Sequence, residues 1–158
     1  MTNRLEKGAT APAITLASTG NEEVNLAAPR RKAHVIFFYP KDNTKGCTIE
    51  AKAFSALKAE FDKLDVDIIG VSKDSLKSHE NFRVKQELTN DLASDPDGEA
   101  CEAFGVWVEK NMYGRKYMGI ERSTFIIMAN GEVAEAWHKV RVNGHAEAVL
   151  EATQSLFG

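Results

Sequence analysis

Cysteine is scarce in this chain: Cys47 and Cys101 are the only two in 158 residues. They form no Cys-x-x-Cys, which removes the usual dithiol redox motif, and neither clusters with histidine. The four histidines, His34, His79, His138 and His145, show no zinc-site spacing, so no metal and no cofactor is expected. No apolar run approaches the length that spans a bilayer. The stretch Met1-Thr2-Asn3-Arg4-Leu5-Glu6-Lys7-Gly8 lacks the apolar core of a secretory signal. Basic residues are scattered and the formal net charge is −3, so no stripe is available to follow a phosphate backbone. Internal repeats, low-complexity tracts and long linkers are missing too. These absences leave a cytoplasmic protein with no nucleic-acid and no membrane partner as the expectation.

What is present is a chain able to build a core. Hydrophobic residues make up 43%, a normal globular share, and the length fits one domain over residues 1–158. A disulfide staple is therefore not required. Short apolar runs alternate with helical spacing, the pattern of an α/β fold. Ala13-Ile14-Thr15-Leu16 and Glu23-Val24-Asn25-Leu26 read as paired strands across a turn at Gly20-Asn21. His34 to Tyr39 and Val66 to Val71 read as buried strands. Between them, Phe54, Leu57, Phe61 and Leu64 recur at helical spacing and predict one amphipathic helix. Asp74 or Ser75 caps a helix running to Glu87. Leu92 and Ala93 mark a short strand end. Asp95-Pro96-Asp97 predicts a further helix, with Asp95 as N-cap and Pro96 in its first position, stopping near Gly105. Asn130-Gly131, between Thr124–Met128 and Val133–Val140, predicts a hairpin. A last helix starts between Asn143 and His145. The order matches the thioredoxin fold, with extra N-terminal strands and an inserted helix.

The chemistry centres on Cys47. It follows the apolar run Val35-Ile36-Phe37-Phe38-Tyr39 and the loop Pro40-Lys41-Asp42-Asn43-Thr44-Lys45-Gly46, and it precedes helical spacing. A helix start offers unpaired N–H groups and a positive dipole end, both favouring thiolate over thiol. Such settings lower a cysteine pKa from about 8.5 to roughly 3.5–7.5. Gly46 permits close backbone approach or strained angles. Thr44 supplies a hydroxyl that either donates to an incoming oxygen or caps the helix. Pro40 stiffens the loop and screens the sulfur. A fast thiol must also activate its target, because nucleophilicity falls with pKa.

Pro40-x-x-x-Thr44-x-x-Cys47 resembles the active-site motif of the peroxiredoxins. Phe38-Tyr39-Pro40-Lys41-Asp42, Gly46-Cys47-Thr48, Glu50-Ala51, Val71-Ser72-Lys73-Asp74-Ser75, Phe104-Gly105-Val106-Trp107, Glu109-Lys110 and Gly119-Ile120-Glu121-Arg122-Ser123-Thr124-Phe125 are similar to the bacterioferritin comigratory protein, or peroxiredoxin Q, subfamily. The resemblance implies a thiol peroxidase that reduces hydrogen peroxide and organic hydroperoxides. In it Cys47 attacks the peroxide and becomes a sulfenic acid, and Thr44 hydrogen-bonds the substrate. Arg122 holds the thiolate and polarises the substrate, Glu50 orients Arg122, and Pro40 shields the pocket. Only the resemblance selects Arg122 among seven arginines; by pattern alone it is a strand-edge charge. Many relatives carry a resolving cysteine five residues after the first, where Lys52 stands, or just after Ser78-His79-Glu80-Asn81-Phe82, where Arg83 stands. The expected cycle therefore uses an external thiol (thioredoxin, glutaredoxin or glutathione), with Cys101 as the alternative resolver. The C-terminus, ending at Gly158, lacks the extension of decameric relatives, and a monomer is expected.

Other residues read more simply. Cys101 lies among alanines one turn before Phe104 and reads as core. Trp107 and Trp137 read as packing, and Arg30-Arg31-Lys32 as a solvated loop. His138 and His145 read as surface or capping residues, leaving a Cys–His hydrolase without a base. The competing functional class is a thioredoxin-fold module that exchanges disulfides or acts as a holdase.

Overall fold

A computed structural model describes residues 4–158; Met1 to Asn3, the start of the stretch examined for a secretory signal, lie outside the described residues. The apolar runs make the centre of the sheet. β3 (Ala33–Phe38) is buried at every position, and β4 (Val66–Ser72) nearly so, as expected of strands covered on both faces. They pair in parallel from Ala33↔Val66 to Phe38↔Val71. β5 (Asp91–Ser94) continues the parallel set beside β4. β8 (Ser123–Met128) runs antiparallel to β3, and β9 (Val133–Trp137) antiparallel to β8. β1 (Thr15–Ser18) and β2 (Glu22–Asn25) form the expected hairpin, which joins the sheet through β5. The seven-stranded order is β2-β1-β5-β4-β3-β8-β9.

Alternating side chains divide the core into two layers. Val35, Phe37, Tyr39, Val66, Ile68 and Ile126 face α1 (Lys45–Ala56), α2 (Lys58–Lys63), α3 (Leu76–Gln86) and α5 (His145–Phe157), meeting Phe54, Phe61, Phe82 and Val149. Ile36, Phe38, Ile69, Val71, Phe125 and Ile127 face the other way. They pack with Leu16, Val24, Phe104 and Val106, and with α4 (Glu99–Ala103). No helix among the described residues is long and apolar enough to cross a membrane.

Several expectations change in three dimensions. The single helix after Cys47 is two, broken at Leu57, whose backbone leaves the helical region; the apolar stripe survives the break because Phe54 and Phe61 both point at the sheet. Ser75, not Asp74, caps α3, its hydroxyl accepting from Ser78 N at 3.1 Å. α4 begins at Glu99 behind Gly98, later than Asp95-Pro96 suggests. Asp95 still caps it, from outside: its carboxylate accepts from Ala100 N (3.1 Å) and Cys101 N (2.9 Å). β9 ends at Trp137, short of Val140. Arg31 is no solvated loop residue; it bridges Asp62, Asp65 and Asp67 at 2.8–3.2 Å.

One unit has no counterpart in the sequence reading. β6 (Trp107–Met112) and β7 (Arg115–Ile120) form a separate two-stranded ribbon. Its turn places Tyr113 and Gly114 both at positive φ. A tyrosine there is uncommon, so the turn lacks an Asn-Gly signature; Asn111 supports it by accepting from Gly114 N at 3.0 Å.

Gly70 explains how α1 seats on the sheet. A Cβ there would lie 2.7 Å from the Phe37 ring and 2.8 Å from Leu92. The space it leaves is filled by Phe37, which stacks on Phe54 of α1 with centroids 4.6 Å apart. Gly70→Ala is therefore expected to overpack this layer and cost about 1–3 kcal/mol. Urea unfolding would show it as a lower midpoint at unchanged slope; an unchanged midpoint would mean that Phe37 yields freely.

Candidate active site

Cys47 lies in the first turn of α1, where N–H groups are not yet paired within the helix. Its side chain is buried, 1% exposed. The Arg122 guanidinium donates from Nη2 to Cys47 Sγ at 3.4 Å and from Nη1 to Glu50 Oε1 at 2.7 Å. Glu50 is one turn along α1, so one helix face presents both the sulfur and the carboxylate to a single cation.

Arg122 comes from the two-residue link between β7 and β8, and backbone bonds hold that link in place. Val140 N donates to Arg122 O (2.9 Å) and Glu121 N to Val106 O (2.7 Å). Glu121 is itself clamped by Arg4 through two bonds of 2.6 and 2.7 Å. Gly46 serves the site differently from expectation. Its φ is not left-handed, but a Cβ there would stand 3.3 Å from Arg122 Nη2. Glycine leaves the guanidinium its path to the sulfur.

The electrostatics follow from burial. Desolvation pushes the Glu50 carboxyl up to about 7, opposed by the Arg122 charge and hydrogen bond. Its second oxygen, Oε2, is buried with no hydrogen-bond partner among the described residues. Arg122 is held above its ordinary value: burial works against its charge, but Glu50 and Cys47 outweigh it. His145 is not a surface residue. It is buried beside Thr124, with Nε2 2.7 Å from Oγ1, and its ring meets Phe54 and Trp137 edge to face. Burial, then Arg122, pushes its pKa down to about 4.

Pro40 lines a groove of about 480 Å³ together with Val108, Lys110, Tyr117, Arg122 and Val140. Half-buried Lys110, brought there by the unforeseen ribbon, has its pKa lowered by burial and by Arg122. Thr44 is exposed and occupies the N-cap position, but its side chain caps nothing; the hydroxyl donates to Lys41 O at 2.8 Å. Between Pro40 and Thr44, Asp42 is buried and bonded to Tyr39, Ser78 and His79. The sequence reading missed this cluster, because its members are up to 40 residues apart. Asp42, Asp74 and His79 bring their ligand atoms within 4.8 Å of one another. Hydrogen bonds within the cluster already engage them: Asp74 Oδ2 accepts from Asp42 N and from Ser72 Oγ.

Cys101 sits apart from all of this. It is fully buried in the layer of Phe104 and Val106, whereas Cys47 belongs to the layer of Phe37 and Phe54. The central sheet runs between the two thiols. Burial, then Asp95, pushes the Cys101 thiol well above its ordinary value, which suits a core residue. His138 is half-buried and reaches Glu6 (2.6 Å) and Leu5 O (3.1 Å). Trp107 packs beneath Lys73, whose Nζ is 4.2 Å from the ring centroid.

Two buried groups titrate with opposite effects on stability. Neutral His145 resists protonation in the folded chain, so stability falls as pH drops from about 6.5 to 4. Glu50 is protonated more readily folded than unfolded, so its contribution rises as pH drops from about 7 to 4.5. Over the shared window they offset each other. Glu50→Gln is expected to expose the His145 limb, a loss approaching 1.4 kcal/mol per pH unit as an order of magnitude. Urea midpoints measured from pH 7 to 4.5 would reveal it; equal slopes in wild type and variant would refute it.

Residues 7–136 match the model of the AhpC/TSA family. The chain is 50% identical over 142 residues to peroxiredoxin Bcp of Xanthomonas campestris, covering 90% of this chain and 89% of that one. It is 43% identical over 152 residues to peroxiredoxin Bcp of Bacillus subtilis, covering 96% and 95%. A solved structure of the Xanthomonas campestris bacterioferritin comigratory protein, from work on its alkyl peroxide reduction activity, superposes with a TM-score of 0.86 at 45% identity, over 100% of both chains. With a thioredoxin-fold sheet and a helix-start cysteine held by arginine, the chain belongs to the AhpC/TSA family, among the peroxiredoxins of the Bcp or peroxiredoxin Q kind.

Proposed function

We propose that Cys47 is the peroxidatic thiol of this thiol peroxidase and that an external thiol, not Cys101, resolves it. The Cys47 thiolate attacks one peroxide oxygen and the O–O bond breaks. The sulfur is oxidised to sulfenic acid, and the leaving oxygen takes a proton and departs as water or an alcohol. Arg122 stands beside the sulfur, whose negative charge passes to the leaving oxygen as the O–O bond breaks, and a guanidinium donor that follows the charge to that oxygen lowers the barrier. Glu50 fixes the direction of that guanidinium. Thr44 donates to the bound peroxide once its hydroxyl turns from Lys41 O, and Pro40 keeps bulk water off the sulfur. Organic hydroperoxides fit beside hydrogen peroxide: the groove joining Pro40 to Arg122 offers Val108 and Val140 to an alkyl group, among polar neighbours such as Lys110 and Asn111.

One observation carries the resolving step: the two cysteines pack on opposite faces of the sheet. A disulfide needs Cα atoms roughly 4.4–6.8 Å apart, so joining them would require the core to come apart. Lys52 and Arg83 occupy the positions where relatives place a second thiol. The sulfenic acid therefore condenses with an external thiol, releasing water, and a second thiol frees Cys47 as a new disulfide leaves. Thioredoxin, glutaredoxin and glutathione all supply such a thiol. The same lack of a neighbouring thiol weighs against a disulfide-exchange module. Residues 1–158 act as one domain and as a monomer, in the reducing cytoplasm where both cysteines stay free.

Cys47→Ser is expected to abolish peroxide loss in excess dithiothreitol with the fold intact. Arg122→Met is expected to slow sulfenic acid formation by about 10²–10³, roughly 2.7–4 kcal/mol of transition-state stabilisation; an unchanged rate in stopped flow would remove Arg122 from the chemistry. Intact mass after one equivalent of peroxide distinguishes the resolving routes. One added oxygen, or a trapped adduct, is expected, and Cys101→Ser should keep most turnover. Loss of two hydrogens, mapped to Cys47 joined to Cys101, would overturn the external-thiol cycle.

A further inference from the structure

The loop between Pro40 and Thr44 is fastened through one buried side chain. Asp42 Oδ1 accepts from the Tyr39 hydroxyl at 2.6 Å, and Oδ2 accepts from Ser78 Oγ at 2.8 Å. His79 Nδ1 also faces Oδ2 at 2.8 Å, with the Tyr39 hydroxyl oxygen 3.3 Å away. The Asp42 amide donates to Asp74 Oδ2 at 2.9 Å. The loop is thereby bolted to the junction of β4 and α3, and His79 is wholly buried.

The proton count is constrained. His79 Nε2 lies 3.0 Å from Ala93 O. A backbone carbonyl only accepts, so Nε2 carries a proton. The other ring nitrogen meets a carboxylate that already receives hydroxyl donors. Burial alone would raise Asp42, yet its bonds from His79, Tyr39 and Ser78 hold the carboxyl below the ordinary value. Burial and Asp42 push the Tyr39 phenol up, so it stays a donor.

We propose that His79 and Asp42 form a buried hydrogen-bonded pair that holds the Pro40–Thr44 loop in register with Cys47, making His79 a positioning residue for peroxide reduction. It touches neither sulfur nor substrate. It acts through Asp42, two residues from Pro40 and two from Thr44, the groups assigned to shield the sulfur and bond the peroxide. Its role in turnover rests on Cys47 being the peroxidatic thiol; its hold on the loop does not.

Two measurements on the full chain test it. Ring-nitrogen NMR of ¹⁵N-histidine protein is expected to show a proton on His79 Nε2, held by Ala93 O. His79→Gln cannot serve Ala93 O and Asp42 together. It is expected to slow oxidation of Cys47 by hydrogen peroxide on the order of 10–100-fold, while iodoacetamide alkylation, which needs only the thiolate, changes by about twofold or less. Should that variant fail to fold, Asp42→Ala takes its place with the same split expected. An unprotonated Nε2 in wild type, a wild-type peroxide rate in His79→Gln or its substitute, or equal slowing of both reactions would each overturn the proposal. Loss of both reactions in Cys47→Ser is the separate check on which cysteine reacts.

Discussion

A single buried guanidinium organises the reactive end of this molecule. Arg122 is shared between the Cys47 sulfur and the Glu50 carboxylate, and much nearby structure serves that sharing. Gly46 stays bare so the guanidinium can pass. Backbone bonds to Val106 and from Val140 fix the link that carries it. His145 stays neutral beside it, so that ring adds no charge to the same low-dielectric space. A cation there without Glu50 would be costly, and Glu50 without the cation would stay protonated. Each makes the other's charge tolerable, and the sulfur takes the remaining donor.

The sheet gives the two cysteines different fates. Both are buried, so burial does not separate them. What separates them is the surrounding chemistry. Cys47 is at a helix start facing a cation. Cys101 is on the other face among aromatic side chains, with the Asp95 carboxylate near it. A thiol next to a carboxylate in an apolar layer is kept protonated and inert. Parallel strands buried on both faces allow two such layers to coexist a sheet's thickness apart.

The loop ahead of Cys47 shows a related economy. Pro40 and Thr44 both lie on irregular backbone, which is mobile unless tied. Asp42 ties it by bonding to Tyr39, just past the end of β3, and to Ser78 and His79 of α3. A site on loops thus acquires the rigidity of the regular elements beneath it.

Much of this protein was legible in the sequence because the signals were local. Strands β3 and β4 announce themselves as runs of apolar residues, and the helix start at Cys47 follows from loop residues beside a helical stripe. The motif from Pro40 to Cys47 pointed to the chemistry, and the family likeness named Arg122 and Glu50. The ribbon of β6 and β7 was not legible, since Tyr113-Gly114 lacks a hairpin signature and its strands alternate weakly. Neither was the break at Leu57, where tertiary packing of Phe54 and Phe61 overrides a continuous pattern. The sequence by itself determined the elements and the reactive residue types, through period, turn chemistry and motif. Only the tertiary structure decided which distant groups meet: Arg122 with Cys47 across 75 residues, His79 with Asp42 across 37, and the two thiols on opposite faces of one sheet. Those pairings are set by strand register and sheet order, which no short stretch of chain encodes.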